Sequence, residues 1–174
     1  YLGAVTEIAF ESFEEIEALF AGELDLAYIG PNPAINGYVK SKGEAVRVIA
    51  GAMSGGAVLV VRADANVKDV KDFAGRRVAT PQIGNTQDIA MRYYLLSNNL
   101  APVEKGGNVT IVPAQNPDIL TLFLKKEIDA AWVPEPWGAR LVKEGNGKIL
   151  LDERDMWQPD RKFTTAGVIV SPKF

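Results

Sequence analysis

The stretch Ala18-Leu19-Phe20-Ala21-Gly22-Glu23-Leu24-Asp25-Leu26-Ala27-Tyr28-Ile29 returns far downstream as Thr121-Leu122-Phe123-Leu124-Lys125-Lys126-Glu127-Ile128-Asp129-Ala130-Ala131-Trp132-Val133, with one extra residue. Each copy reads as an amphipathic helix, an acidic turn (Glu-Leu-Asp or Glu-Ile-Asp) and a buried strand ending in an aromatic. Each is followed by Pro-x-Pro: Pro31-Asn32-Pro33 and Pro134-Glu135-Pro136. Proline is preorganised for the first helical position, so these turns predict that a new helix starts after each strand. One reading is chance likeness between two α/β units. The other is an internal repeat, which gives two similar α/β lobes. Each lobe then delivers its Pro-x-Pro turn to the carboxyl edge of its sheet, where open α/β sheets bind ligands. Two such edges facing each other make a cleft suited to a small molecule.

Outward from the repeat, short β-branched runs alternate with amphipathic segments, the pattern of an α/β fold with a largely parallel sheet. Strands are expected near 4–10, 24–29, 46–53, 57–62, 77–80, 109–112, 129–133, 148–151 and 166–170. Ser12 with Glu15 three residues on is a capping box, and Phe13, Ile16, Leu19 and Phe20 then share one apolar face. Asn116 before Pro117 reads as an N-cap and a first-position proline, with Leu120, Phe123 and Leu124 as the buried stripe. A third helix is expected from about Asn85 to Asn99, burying Ile89, Tyr93, Leu96 and Leu100.

Composition narrows the chemistry. The 174 residues carry 19 Lys+Arg against 22 Asp+Glu, a formal charge of -3, with basic residues scattered. That argues against a nucleic-acid surface. There is no His and no Cys, so thiolate nucleophiles, Ser-His-Asp triads, imidazole proton shuttles and ordinary zinc sites are excluded. No cofactor or metal is implied. No apolar run approaches the roughly 20 residues of a spanning helix.

Three segments could carry chemistry. Ser54-Gly55-Gly56 lies between two strand-like runs, either as a simple bend or as backbone free to approach a ligand. Gly84-Asn85-Thr86-Gln87 opens a helix directly after a strand, so its unpaired N–H groups and dipole suit an anion, while ordinary capping is the competing reading. Asp88 in that first turn reads as structural. Glu135 and Trp137 flank Pro136, a carboxylate beside an aromatic face that suits an amine, a cation or a flat ring. Core packing of Trp137 and helix capping by Glu135 are the competing readings. Trp157 and the Arg154-Asp155 pair receive no role.

These residues together resemble a family. The helix-Gly-Glu-Leu-Asp-strand turn, Met53-Ser54-Gly55-Gly56-Ala57, Asp72-Phe73-Ala74-Gly75-Arg76-Arg77-Val78, Gly84-Asn85-Thr86-Gln87-Asp88, and Glu127-Ile128-Asp129 through Glu135-Pro136-Trp137 come in its order. The family is that of the periplasmic solute-binding proteins of ABC importers for nitrate, taurine, alkanesulfonates and bicarbonate. The resemblance covers nearly the whole chain, and the chain is expected to be clipped at both ends.

The resemblance implies a two-lobed, type II periplasmic-binding fold with two sheets joined by two hinge crossovers. Lobe 1 would hold residues 1–56 and 166–174, and lobe 2 residues 57–165. The implied role is capture without chemistry. A small solute binds in the cleft, the lobes close, and the closed form, a monomer in the periplasm or lipid-anchored outside the cell, docks on a membrane permease. Carried over by position, the ligand contacts would be Ser12, Asn32, Ser54, Gly55, Gly56, Asn85, Thr86, Gln87, Glu135, Pro136 and Trp137. No Lys or Arg lies in these segments, which favours a monoanion or a zwitterion over a doubly charged oxyanion, and Glu135 could pair an amine. Competing expectations are a pyrimidine-binding or thiamin-precursor protein of the same fold, and the effector domain of a transcription regulator. The first relies on a histidine and a cysteine-rich motif that are absent here.

Overall fold

The computed structural model describes residues 12–173, so the strand expected over 4–10 lies outside the described residues. Contacts divide the chain into two compact units, Met53–Thr165 and a unit made of the chain before it with the stretch from Ala166 on. In chain order the elements are α1 (Ser12–Ala21), β1 (Leu26–Ile29), α2 (Pro31–Lys40), β2 (Arg47–Ser54), β3 (Ala57–Arg62), β4 (Arg77–Thr80), α3 (Thr86–Ser97), β5 (Thr110–Pro113), α4 (Asn116–Leu124), β6 (Ala130–Pro134), α5 (Trp137–Gly145), β7 (Gly147–Asp152) and β8 (Thr164–Val170). β2 leads the chain into the second unit and β8 leads it back.

In the first unit the sheet order is β1-β8-β2, with β8 antiparallel to β1. Its core gathers Ile16 and Leu19 of α1, Ala27 and Ile29 of β1, Ala34 of α2, Val46 and Ile169. Ser12 opens α1, and its side chain lies outside those described. Phe20, expected on the buried face, is 43% exposed.

In the second unit the order is β5-β4-β6-β3-β7. β4 runs parallel to β5 and β6, while β3 runs antiparallel to β6 and β7. The largely parallel sheet expected from the alternation is therefore interrupted. The reason is connectivity: β3 follows straight on from β2 of the other sheet, with only Gly55 and Gly56 between. It enters at the edge where β4 and β6 end. β8 enters the first unit against β1 in the same way.

Both faces of this sheet are covered, which explains its continuous apolar strands. Leu59, Val61, Val78, Ala130 and Trp132 pack with Met91 and Leu95 of α3. The alternate residues Val58, Val60, Ala79, Ala131 and Val133 pack with Ile119, Leu120 and Phe123 of α4 and Leu141 of α5. Contact between α5 and β3 is close enough that a Cβ on Gly138 would clash with a methyl of Val58.

The repeat exists in the backbone. Gly22 and Lys126 both take left-handed φ at the helix ends, and the Glu23 and Glu127 amides both reach back to the carbonyls of Ala18 and Leu122, each at 2.9 Å. That is the Schellman way of closing a helix. It pairs Leu19 with Phe123, both buried, and Phe20 with Leu124, both exposed, so the stripe expected at Leu124 moves to Ile119, Leu120 and Phe123. With that pairing the copies match residue for residue through the strand, and the one-residue difference falls before the prolines, where the first copy has Gly30. Pro31 starts α2, whereas Pro134 ends β6 and Pro136 caps α5.

A charge-bearing group sits in the core. Glu153, 2% exposed, accepts a 2.8 Å hydrogen bond from the Trp132 indole. Burial pushes its carboxyl up to about 7, against the pull of that bond and with a push from Asp152. The folded state therefore holds the proton more tightly than the unfolded chain. The contribution of this group is full below about 4.5, shrinks as pH rises to about 7 and levels off above. Glu153→Gln is expected to flatten that part of the stability profile in urea unfolding at several pH values, and a profile parallel to the wild type would contradict it.

The two stretches of chain that join the units are tied within the second one: the Thr165 hydroxyl donates to the Gly55 carbonyl at 2.6 Å in a buried position. Thr165→Val keeps the shape and strands that carbonyl, so a loss of about 1–3 kcal/mol is expected. Urea midpoints test it, and an unchanged midpoint would show that water replaces the hydroxyl.

Candidate functional site

Four strand ends meet along one edge of the second unit's sheet. β4, β5 and β6 finish there, and β3 begins there after Gly55 and Gly56. Thr80 stands opposite Pro113, and the Ala114 amide donates to the Thr80 carbonyl at 3.0 Å. The Glu135 amide donates to the Gly56 carbonyl at 2.8 Å, so the crossover and the second Pro-x-Pro turn touch. Gly55 and Gly56 have φ of 85° and 81°, a region that side-chain-bearing residues rarely adopt. Ser54 beside them is exposed, Gly55 buried and Gly56 half-buried.

The loop after β4 is organised by one carboxylate. Asp88, 1% exposed, accepts from the Thr80 hydroxyl (3.0 Å), the Gly84 amide (2.8 Å) and Arg92 Nε (2.8 Å). Its own amide donates to the side chain of Asn85, the N-cap of α3, at 2.9 Å. Arg92 also binds Glu104, whose carboxyl it holds below the usual range. The structural reading of Asp88 agrees with this geometry. The face expected for α3 does not: Ile89, Tyr93 and Leu96 are exposed, and Asp88, Met91 and Leu95 are buried. Once Asp88 is bonded to the end of β4, the helix must turn that side inward.

The same roll buries the first helical turn. Asn85, Thr86 and Gln87 are 5%, 9% and 8% exposed. Among the described residues three buried side-chain atoms lack a hydrogen-bond partner: Gln82 Oε1, Thr86 Oγ1 and Asn116 Oδ1. All three follow the ends of the neighbouring strands β4 and β5. Gln82 and Asn116 were not among the sequence candidates. Asn116 was expected to be the N-cap of α4, but Gln115 occupies that position without a side-chain bond, and Asn116 is already helical. An N-cap oxygen must look back at the N2 or N3 amide, and one residue further along it cannot. The signal available in the sequence was a polar side chain just beyond each strand end.

Glu135 is exposed and its carboxylate accepts from the Ala139 amide at 3.0 Å, capping α5. Pro136 is exposed, and Trp137 is half-buried against the α4 side of the core. The Arg140 guanidinium lies 4.8 Å from the Trp137 ring centroid and pairs with Glu144. So the competing readings given above, capping for Glu135 and packing for Trp137, are both realised in the geometry. Ser12 and Asn32 belong to the first unit, at the start of α1 and in the first turn of α2, where Asn32 is half-buried past the end of β1.

Chemically the edge offers helix N-termini, amides and hydroxyls. Among the described residues no three His, Cys, Asp or Glu side chains cluster as a metal site, and no helix is long and apolar enough to cross a membrane. Replacing Asp88 by Ala leaves Arg92 and the Gly84 amide without their buried partner. A loss of about 3 kcal/mol is expected. A loss below about 1 kcal/mol in denaturant unfolding would mean that the loop holds itself.

The model of the NMT1-like family matches residues 4–171. A relative from Brucella abortus is 26% identical over 95% of this chain and 49% of its own length. The taurine-binding periplasmic protein of Escherichia coli is 28% identical over 82% of this chain and 42% of its own. The periplasmic aliphatic sulphonate binding protein SsuA of Escherichia coli superposes with a TM-score of 0.75 at 20% identity, covering 93% of this chain and 52% of SsuA. The α/β two-sheet architecture is that of periplasmic binding proteins. The chain spans about half the length of the curated relatives it matches.

Proposed function

The chain belongs to the NMT1-like family, and we propose that it is the solute-binding component of an ABC importer, working outside the cytoplasm and handing its solute to a membrane permease. The solute is a small monoanion or zwitterion of the sulfonate, taurine or nitrate kind. The observation that carries this reading is the buried start of α3, where the Thr86 hydroxyl has no partner within the protein. A helix N-terminus attracts negative charge through its free amides and dipole. A buried hydroxyl left unpaired costs free energy that a bound solute recovers.

The contacts proposed are Asn85, Thr86 and Gln87 at the anion, with Ser54, Gly55, Gly56, Glu135, Pro136 and Trp137 along the same edge of the second unit. Ser12 and Asn32 are the candidates of the first unit. The charge inventory supports the reading. Asp88 is matched by Arg92, and Arg140 by Glu144, so the edge offers neutral donors to the solute. Such a surface suits one negative charge better than two.

Native mass spectrometry of the purified protein, followed by thermal shifts with taurine, alkanesulfonates, nitrate and bicarbonate, tests the proposal. At a hundredfold excess over Kd a true solute stabilises by about 2.7 kcal/mol. Thr86→Val is expected to weaken that solute about tenfold while the unliganded melting temperature stays the same or rises, since the unpaired hydroxyl is removed. No shift from any of these compounds, with no mass retained, would overturn the reading.

A further inference from the structure

The amide oxygens of Gln82 and Asn116 are fully buried and accept nothing from the protein, as is true of the Thr86 hydroxyl between them in sequence. Most buried polar atoms in folded proteins are paired, so each exception calls for a partner outside the chain. Here the exceptions among the described residues all lie on the segments that follow the adjacent strands β4 and β5. Thr80 and Pro113 are opposite each other on parallel strands, and the Ala114 amide is bonded to the Thr80 carbonyl. Gln82 lies two residues past Thr80 and Asn116 two past Ala114, so the two loops leave adjacent strands side by side. Thr86, more than nine-tenths buried, begins the 12-residue helix that follows the first loop.

The two amide oxygens do not have the chemistry of an anion site. A carbonyl oxygen only accepts, whereas a hydroxyl can donate or accept. A solute made of oxyanion alone would satisfy the Thr86 hydroxyl and the helix amides but would leave both amide oxygens stranded. A solute that also carries N–H groups would satisfy all three. Glu135, the carboxylate first considered for an amine, already caps the Ala139 amide.

We propose that Gln82 and Asn116 are specificity-determining residues, forming with Thr86 a subsite whose amide oxygens accept hydrogen bonds from an ammonium or amide group of the solute, next to the anion held by the α3 N-terminus. This rests on the solute-binding reading above. It selects an aminated monoanion over a bare one.

Calorimetric titration with taurine, which carries an ammonium, and with ethanesulfonate, which does not, separates the possibilities. The wild type is expected to bind taurine more tightly. Gln82→Met and Asn116→Leu keep the side-chain size and remove the oxygen, and each is expected to weaken taurine about tenfold and ethanesulfonate less than about threefold. Should either variant fail to fold by circular dichroism, Asn116→Asp decides: it keeps the acceptor and adds charge, so taurine is held at least as well and ethanesulfonate is weakened. Equal losses for both compounds, no loss for either, or tighter binding of ethanesulfonate by the wild type would overturn the subsite while the solute-binding reading stands. Binding of neither compound by the wild type would overturn the subsite together with the sulfonate part of that reading.

Discussion

The buried carboxylate of Asp88 is the constraint from which the site follows. An ion of this kind is tolerated in a protein interior only when it is paired and hydrogen-bonded. Here it is held by a strand-end hydroxyl, a loop amide and a guanidinium, while its backbone amide closes onto Asn85. That set of bonds links β4, the loop and α3 into one piece. It also fixes the roll of α3, putting Met91 and Leu95 into the core and the first turn into a buried position at the sheet edge. The groups proposed to face the solute are thus placed by a structural ion, which already accepts three hydrogen bonds from the protein.

The second determinant is the way the chain enters each unit. A strand that comes over from the other unit arrives at the carboxyl edge and so runs against its neighbours, as β3 does beside β6 and β8 does beside β1. Gly55 and Gly56 are needed at that entry because the backbone there is left-handed. The Glu135 amide then bonds the Gly56 carbonyl, so entry point and second Pro-x-Pro turn share one edge. Topology, more than any single side chain, brings these motifs together.

Strand positions were legible because apolar residues such as those from Ala57 to Val61 are buried on both faces and leave an uninterrupted run. Strand direction was not, since antiparallel β3 and parallel β6 carry equally apolar sequences. Helix faces were misread where side-chain hydrophobicity and hydrogen bonding disagree. The Ile89, Tyr93 and Leu96 stripe is as regular as the Asp88, Met91 and Leu95 one, and periodicity alone counts the aspartate against the face it belongs to. Phe20 and Leu124 were misplaced because each lies four residues after a buried one, Ile16 and Leu120, and so counts into the apolar stripe, while at the helix ends both are exposed. At the site, Asn85 to Gln87 were visible as a loop opening a helix. Gln82 and Asn116 were not, because a single amide in a loop has no period and acquires meaning only when its oxygen is found buried without a partner.

The distribution of charge around the edge explains why neutral groups carry so much of the argument. Arg92 is engaged by Asp88 and Glu104, Arg140 by Glu144 and the Trp137 ring, and Glu135 by an amide of α5. Each of these charges has a partner on its own or a neighbouring element. Uncommitted beside them are dipolar groups: helix amides that favour an anion, and carbonyl-type oxygens that favour a donor. Dipoles of opposite sense set a few residues apart discriminate by the shape and hydrogen-bonding pattern of a solute more than by its net charge. A surface of that kind binds a zwitterion without the desolvation cost of a fixed ion pair, and releases it without having to separate one.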